Sequence, residues 1–171
     1  MRLPFDDAQF DLIACQFGVM FFRDKRAAFA EAGRALRPGG SFLFSAWDAL
    51  ETHEFESALV AGLRCAFPSD PPSFMESFPH SYTDPDVIAA DLVAGGLRPA
   101  ALESVTLEGR AESAASLAAG YCAGTPLRAE IEARGDLGAA TAIVANEMER
   151  RLGAGVVVGR MRAHLIHAAR Q

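Results

Sequence analysis

Two short apolar runs, FDLIACQF at residues 10–17 and SFLFSAW at 41–47, bracket one amphipathic stretch, and this spacing restricts the fold more than any other feature. Each run is short and rich in aliphatic and aromatic residues, which suits a strand. Between them apolar residues fall at Ala28, Phe29, Ala32, Ala35 and Leu36. That is the i, i+3, i+4, i+7 rhythm of a helix with one buried face. The helix is predicted over residues 25–36, with Asp24 as its cap and with Arg34 and Arg37 suiting the dipole at its end. Pro38-Gly39-Gly40 is predicted to stop it. Strand, helix, glycine turn and strand make one βαβ unit, whose two strands run parallel through a right-handed crossover. FDLIACQF is almost wholly apolar and is expected to be buried on both faces.

The remainder continues as α/β. A helix is predicted over 54–67, and Pro68, Pro71 and Pro72 then break the chain. The segment that follows carries Phe74, Met75, Phe78 and Tyr82 among turn residues. A flap over a pocket and a loop packed on the core suit it equally. Thr83 is read as the cap of the next helix, with Pro85 in its first turn and Gly95-Gly96 as its stop. A strand is expected over 97–107, then helices over 111–121, 127–134 and 137–152, the last two parted by Gly135-Asp136. A long strand over 155–168 closes the series and is expected to lie antiparallel, at or next to a sheet edge. The reading is one domain over 1–171, with a lid-like loop at 67–82 and a helical insertion at 111–152 before the last strand.

Composition excludes several classes of function. With 16 basic and 22 acidic side chains the net charge is -6, which argues against a nucleic-acid face. Cys15, Cys65 and Cys122 lie far apart with no CxxC spacing, so reduced thiols in the cytoplasm and no metal site are expected. His164 and His167 fall in the last strand, where a structural role is the simpler expectation than metal binding. No apolar run reaches the length of a membrane span, and Asp6-Asp7 interrupt any signal-peptide pattern. Glu51 and Glu54 fit a solvated helix start better than a polar group beside a cleft. In open parallel sheets the ligand crevice lies past the C-terminal strand ends, here Cys15-Gln16-Phe17 and Ala46-Trp47-Asp48. Gln16 can offer a donor and an acceptor there, and Trp47 can wall an apolar pocket.

Taken in order, LPF, then FD with a hydrophobic strand, QFGVMFF, a helix ending LRPGG and a strand ending SAW, residues 3–48 resemble the second half of the catalytic domain of class I S-adenosylmethionine-dependent methyltransferases. The ubiquinone and menaquinone C-methylating branch is the most similar, and residues 49–171 fit the family more loosely. The resemblance implies a partial Rossmann-like methyltransferase fold. The family's seven strands run in the order 3-2-1-4-5-7-6, and the four here would be strands 4-5-7-6 with the last one antiparallel. It places Leu3, Pro4 and Phe5 near the adenine of S-adenosyl-L-methionine, and Gln16 and Phe17 beside its methionine part. It places Phe22, Trp47 and Tyr82 on the substrate side. No general base or other catalytic residue matches.

The family's glycine-rich cofactor loop and its ribose-binding acidic residue have no counterpart in this sequence. The chain is therefore expected to be a truncated methyltransferase domain for a small molecule, inactive and without bound cofactor as it stands. The alternative is a non-catalytic remnant with a protein-interaction or subunit role. A nucleotide-binding oxidoreductase fragment fits less well, because its dinucleotide glycines are equally missing. An unpaired edge, or the adjoining bare faces, near residues 10–17 is expected to drive a homodimer.

Overall fold

The structure, a computed structural model, describes residues 2–171. In chain order the elements are β1 (Phe10–Cys15), α1 (Lys25–Ala35), β2 (Leu36–Trp47), α2 (Glu54–Ala66), α3 (Phe74–Ser77), α4 (Pro85–Ala94), β3 (Leu97–Ala111), α5 (Ala114–Gly124), α6 (Leu127–Glu132), α7 (Leu137–Leu152) and β4 (Val157–Arg170). The four strands form one mixed sheet in the order β1-β2-β4-β3. β1 and β2 are parallel, and β4 lies antiparallel beside β2. This is the expected 4-5-7-6 order, with the last strand inserted one place from the edge.

Two compact units divide the chain. The first comprises Met1–Asp48, Pro79–Val105 and Ala163–Gln171, and the second Ala49–Phe78 and Thr106–Arg162. Each has its own core. In the first, Phe29 and Ala32 of α1 and Ile88 and Leu92 of α4 pack with Phe42, Phe44 and Ile166 of the sheet. In the second, Leu59 and Leu63 of α2 pack with Val144 and Met148 of α7 and with Leu127 and Ile131. Gly62 lets α2 approach α7 closely, since a Cβ there would stand 2.8 Å from the Val144 Cα.

Helix starts follow local chemistry. Asp24 accepts from the Ala27 N–H at 2.9 Å and Asp136 from the Ala139 N–H at 2.7 Å. The cap of α4 is Asp84 and not Thr83: its carboxylate accepts from the Asp86 N–H, with Pro85 at the first helical position. α1 ends at Ala35, before Pro38-Gly39-Gly40. Those residues instead form a bulge at the start of β2, so that Phe10 pairs with Leu36 but Leu12 with Ser41. Gly39 turns the bulge at φ +78. Arg37 therefore caps no helix and pairs across the ladder with Asp11 at 2.7 and 2.9 Å.

β1 is not buried on both faces. Ile13 and Cys15 face the first core, whereas Leu12 is 53% exposed, as is Ala14 in large part. The register puts Ala14 beside Leu43, Leu43 beside His167 and Ser45 beside Leu165, all on one side of the sheet. Leu43 and Leu165 are 41% and 47% exposed. The helices of this unit, α1 and α4, both pack on the opposite side, which leaves this face open.

Candidate functional site

The C-terminal end of β1 is shaped by Phe17, whose backbone stands at φ +48. A non-glycine residue seldom adopts that left-handed conformation. Its N–H donates to Ser45 Oγ at 3.0 Å, and its ring stacks on Trp47 with centroids 3.8 Å apart and planes 15° apart. β2 thus supplies both holders, two residues apart and therefore on the same side of the strand. A concave region of about 500 Å³ opens here, lined by Gln16, Phe17, Ser45, Glu103, Leu165 and His167. Its floor is the open sheet face. His167 Nε2 lies 3.0 Å from Ser41 Oγ. Burial pushes the Cys15 thiol up, against a hydrogen bond from the Gly18 backbone, so Cys15 is not an activated nucleophile.

The residues singled out from sequence fall into three groups. Gln16, Phe17 and Trp47 meet at this corner. Phe22 and Tyr82 are joined through Lys25, whose Nζ donates to the Phe22 carbonyl at 3.1 Å and sits 4.7 Å from the Tyr82 ring centre. Tyr82 is buried and donates to Asp91 at 3.2 Å, while Arg26 donates to the same carboxylate at 2.7 Å. Burial and the Asp91 charge hold the Tyr82 phenol well above its ordinary value, so it stays protonated. Leu3, Pro4 and Phe5 lie at the other end of β1. The Leu3 N–H donates to Glu31 at 2.8 Å, and the Phe5 ring meets Phe10 edge-on at 4.9 Å. They are separated from Gln16 by the length of a six-residue strand, roughly 20 Å.

A fourth cluster escaped sequence reading. His164 is buried on the core side of β4. Its Nδ1 is 2.9 Å from Ser104 Oγ, and its Nε2 is 3.0 Å from the Thr83 carbonyl and 3.3 Å from the Asp48 carboxylate. Two acceptors at Nε2 fix the proton there, so Nδ1 accepts from the Ser104 hydroxyl. His80 Nδ1 donates to the Asp48 carbonyl at 2.8 Å. Together these bonds pin the corner directly after Trp47. Positions 48, 83, 104 and 164 share no local motif, so only the fold reveals them. Ser45 had a weak signal, standing two places before Trp47 in SFLFSAW.

Among the described residues no helix is long and apolar enough to cross a membrane. Residues 1–44 match the family described as "Methyltransferase domain". Over 40 residues the chain is 48% identical to the demethylmenaquinone methyltransferase of Deinococcus radiodurans, which is 23% of this chain and 17% of that protein. Among solved structures, a protein described as a methyltransferase from Bacillus halodurans C-125 aligns over 98% of this chain and 67% of its own, at TM-score 0.53 and 16% identity. The YcgJ protein of Bacillus subtilis aligns over 99% and 67%, at TM-score 0.51 and 20% identity. At such identities these structures share the fold. The chain spans about two thirds of their length and under a fifth of the curated relative.

Proposed function

We propose that the chain carries the strand-four-to-seven part of an S-adenosylmethionine-dependent methyltransferase that acts on a small molecule in the cytoplasm, and that it does not hold the cofactor alone. One coincidence supports this. The 1–44 stretch that matches the methyltransferase family is the stretch that builds the β1–β2 pair and leads into the Gln16–Phe17–Trp47 corner. The cofactor, when bound, supplies a methyl on a sulfonium, and the work left to a protein is to orient an acceptor in line with it. An apolar corner walled by stacked Phe17 and Trp47, with the Gln16 amide at its mouth, suits that acceptor side.

The residues present do not fit the whole cofactor. A ribose diol, an amino-acid head group and an adenine call for several donors and acceptors. The polar side chains lining the cavity are Gln16, Glu103, His167, which already meets the Ser41 hydroxyl, and Ser45, whose hydroxyl accepts from the Phe17 N–H. No glycine-rich turn follows a strand and opens a helix in this sequence. The second reading, a non-catalytic remnant with a subunit role, is favoured by the open apolar sheet face.

Trp47 is the one tryptophan in the sequence and reports on the corner directly. Calorimetric titration with S-adenosylhomocysteine is expected to show no saturation at low micromolar ligand, with a Trp47 emission change only at millimolar ligand. Saturable low-micromolar binding overturns the claim that the chain cannot hold the cofactor. A Trp47 signal unmoved at millimolar ligand favours the remnant.

A further inference from the structure

We propose that Ser104 is a nucleophile that takes an acyl group from esters of short apolar carboxylic acids, with His164 as its base. Its Oγ lies 2.9 Å from His164 Nδ1, and Nε2 of the same ring lies 3.0 Å from the Thr83 carbonyl and 3.3 Å from the Asp48 carboxylate. A nucleophile within hydrogen-bond reach of a base, with that base oriented by a third group, is the geometry that activates a weak hydroxyl. Both acceptors at Nε2 hold the ring proton on the side away from Ser104, so the nitrogen facing the hydroxyl is the one able to take its proton.

Exposure separates this cluster from an ordinary buried network. His164 and Asp48 are 3% and 8% exposed, which keeps the base and its orienting carboxylate out of bulk water. Ser104 itself is exposed, so a solute can reach it, and water would satisfy its hydroxyl without the histidine. An apolar groove adjoins the pair. Leu102 stands two residues before Ser104 in β3, and Ile166 two residues after His164 in β4, so each shares its neighbour's side of the sheet. With Pro85, Ala89 and Ala100 they line a groove of about 230 Å³. It begins one two-residue step, roughly 7 Å, along the strands from Ser104 and His164. Every lining side chain is apolar, which suits a short hydrocarbon chain and disfavours a charged acyl group. In the reaction Nδ1 takes the hydroxyl proton as Oγ bonds to the ester carbonyl carbon. It passes that proton to the departing oxygen as the old C–O bond breaks. The products are an acyl ester on Ser104 and a free alcohol, and neither the cofactor nor the methyl-transfer reading is involved.

After incubation with p-nitrophenyl butyrate, peptide mass spectrometry should find the butyryl group on Ser104 about a hundredfold faster than on Ser69 or Ser116, which are also exposed. Urea that unfolds the chain should abolish the difference, because it parts Ser104 from His164. Ser104→Ala, at an exposed position, should keep the circular dichroism and lose the fast phase of p-nitrophenol release. Nitrogen NMR of the imidazole should place the His164 proton on Nε2, and p-nitrophenyl acetate should label Ser104 more slowly than the butyrate. Ser104 labelled no faster than Ser69 overturns the inference and leaves His164 a structural core residue. A fast phase kept in Ser104→Ala overturns it equally. Selectivity that persists in urea, or a proton on Nδ1, overturns the role of His164 as base, and equal rates for acetate and butyrate overturn that of the groove.

Discussion

Phe17 holds a backbone conformation that costs a non-glycine residue about 1–2 kcal/mol, so its neighbours must repay that locally. Ser45 does so by accepting the Phe17 N–H, and Trp47 by stacking on the ring. Ser45→Ala leaves that N–H without its acceptor in a partly closed site. The expected loss is about 1–2 kcal/mol in urea unfolding, with a red-shifted Trp47 emission. An unchanged midpoint would mean that water replaces the hydroxyl. At the other end of β1, Arg34 binds Glu31, Asp7 and the Phe5 carbonyl. Arg34 first, then the Leu3 N–H, holds the Glu31 carboxyl at about 2, below its usual 4.5. A depressed carboxyl stabilises the folded arrangement above its unfolded value and loses that contribution as pH falls through the folded one. Residues 3–7 should therefore be ordered above about pH 4.5 and become mobile towards about pH 2, as read by heteronuclear NOE. A flat profile would show that the ion pairs do not tether the segment.

At the level of elements, Gly62 sets the distance between α2 and α7. Gly62→Ala would place a Cβ 2.8 Å from the Val144 Cα, a backbone atom that cannot rotate away. Overpacking of this kind costs about 1–3 kcal/mol, which a thermal melt would show as a lowered midpoint at unchanged helix content. Gain in stability from the better helix former would mean that the two helices separate readily. Much at this scale was legible from sequence. The 3.6-residue rhythm marked α1, and the Asp24 cap followed from type and position alone. What was not legible depended on partners remote in sequence. FDLIACQF reads as buried on both faces because its apolar count is high, yet among the described residues the helices of its unit, α1 and α4, pack on one side of it. Pro38-Gly39-Gly40 reads as a helix stop because such residues commonly are, while here they absorb a register shift between β1 and β2. Thr83 and Asp84 are both good caps, and only backbone geometry separates them.

For the whole molecule, four strands were recoverable because each is bounded by glycine, proline or a helix rhythm. The antiparallel sense of the last was recoverable because it follows a helical cluster and because the family that the sequence resembles has its last strand antiparallel. That Gln16, Phe17 and Trp47 lie together was legible because β1 and β2 run parallel and end side by side. The Ser104–His164–Asp48 cluster was not, since it joins segments that only the completed sheet brings together. The division into two cores was equally invisible, because β3 and β4 each contribute residues to both units. The place of β4 between β2 and β3 also sets a timetable for biogenesis. On the ribosome, β1, α1 and β2 can assemble as soon as they emerge. β3 is synthesised long before its neighbour, and must wait in the exit-proximal space, open to chaperones, until three more helices have been translated and β4 slides in to complete the ladder.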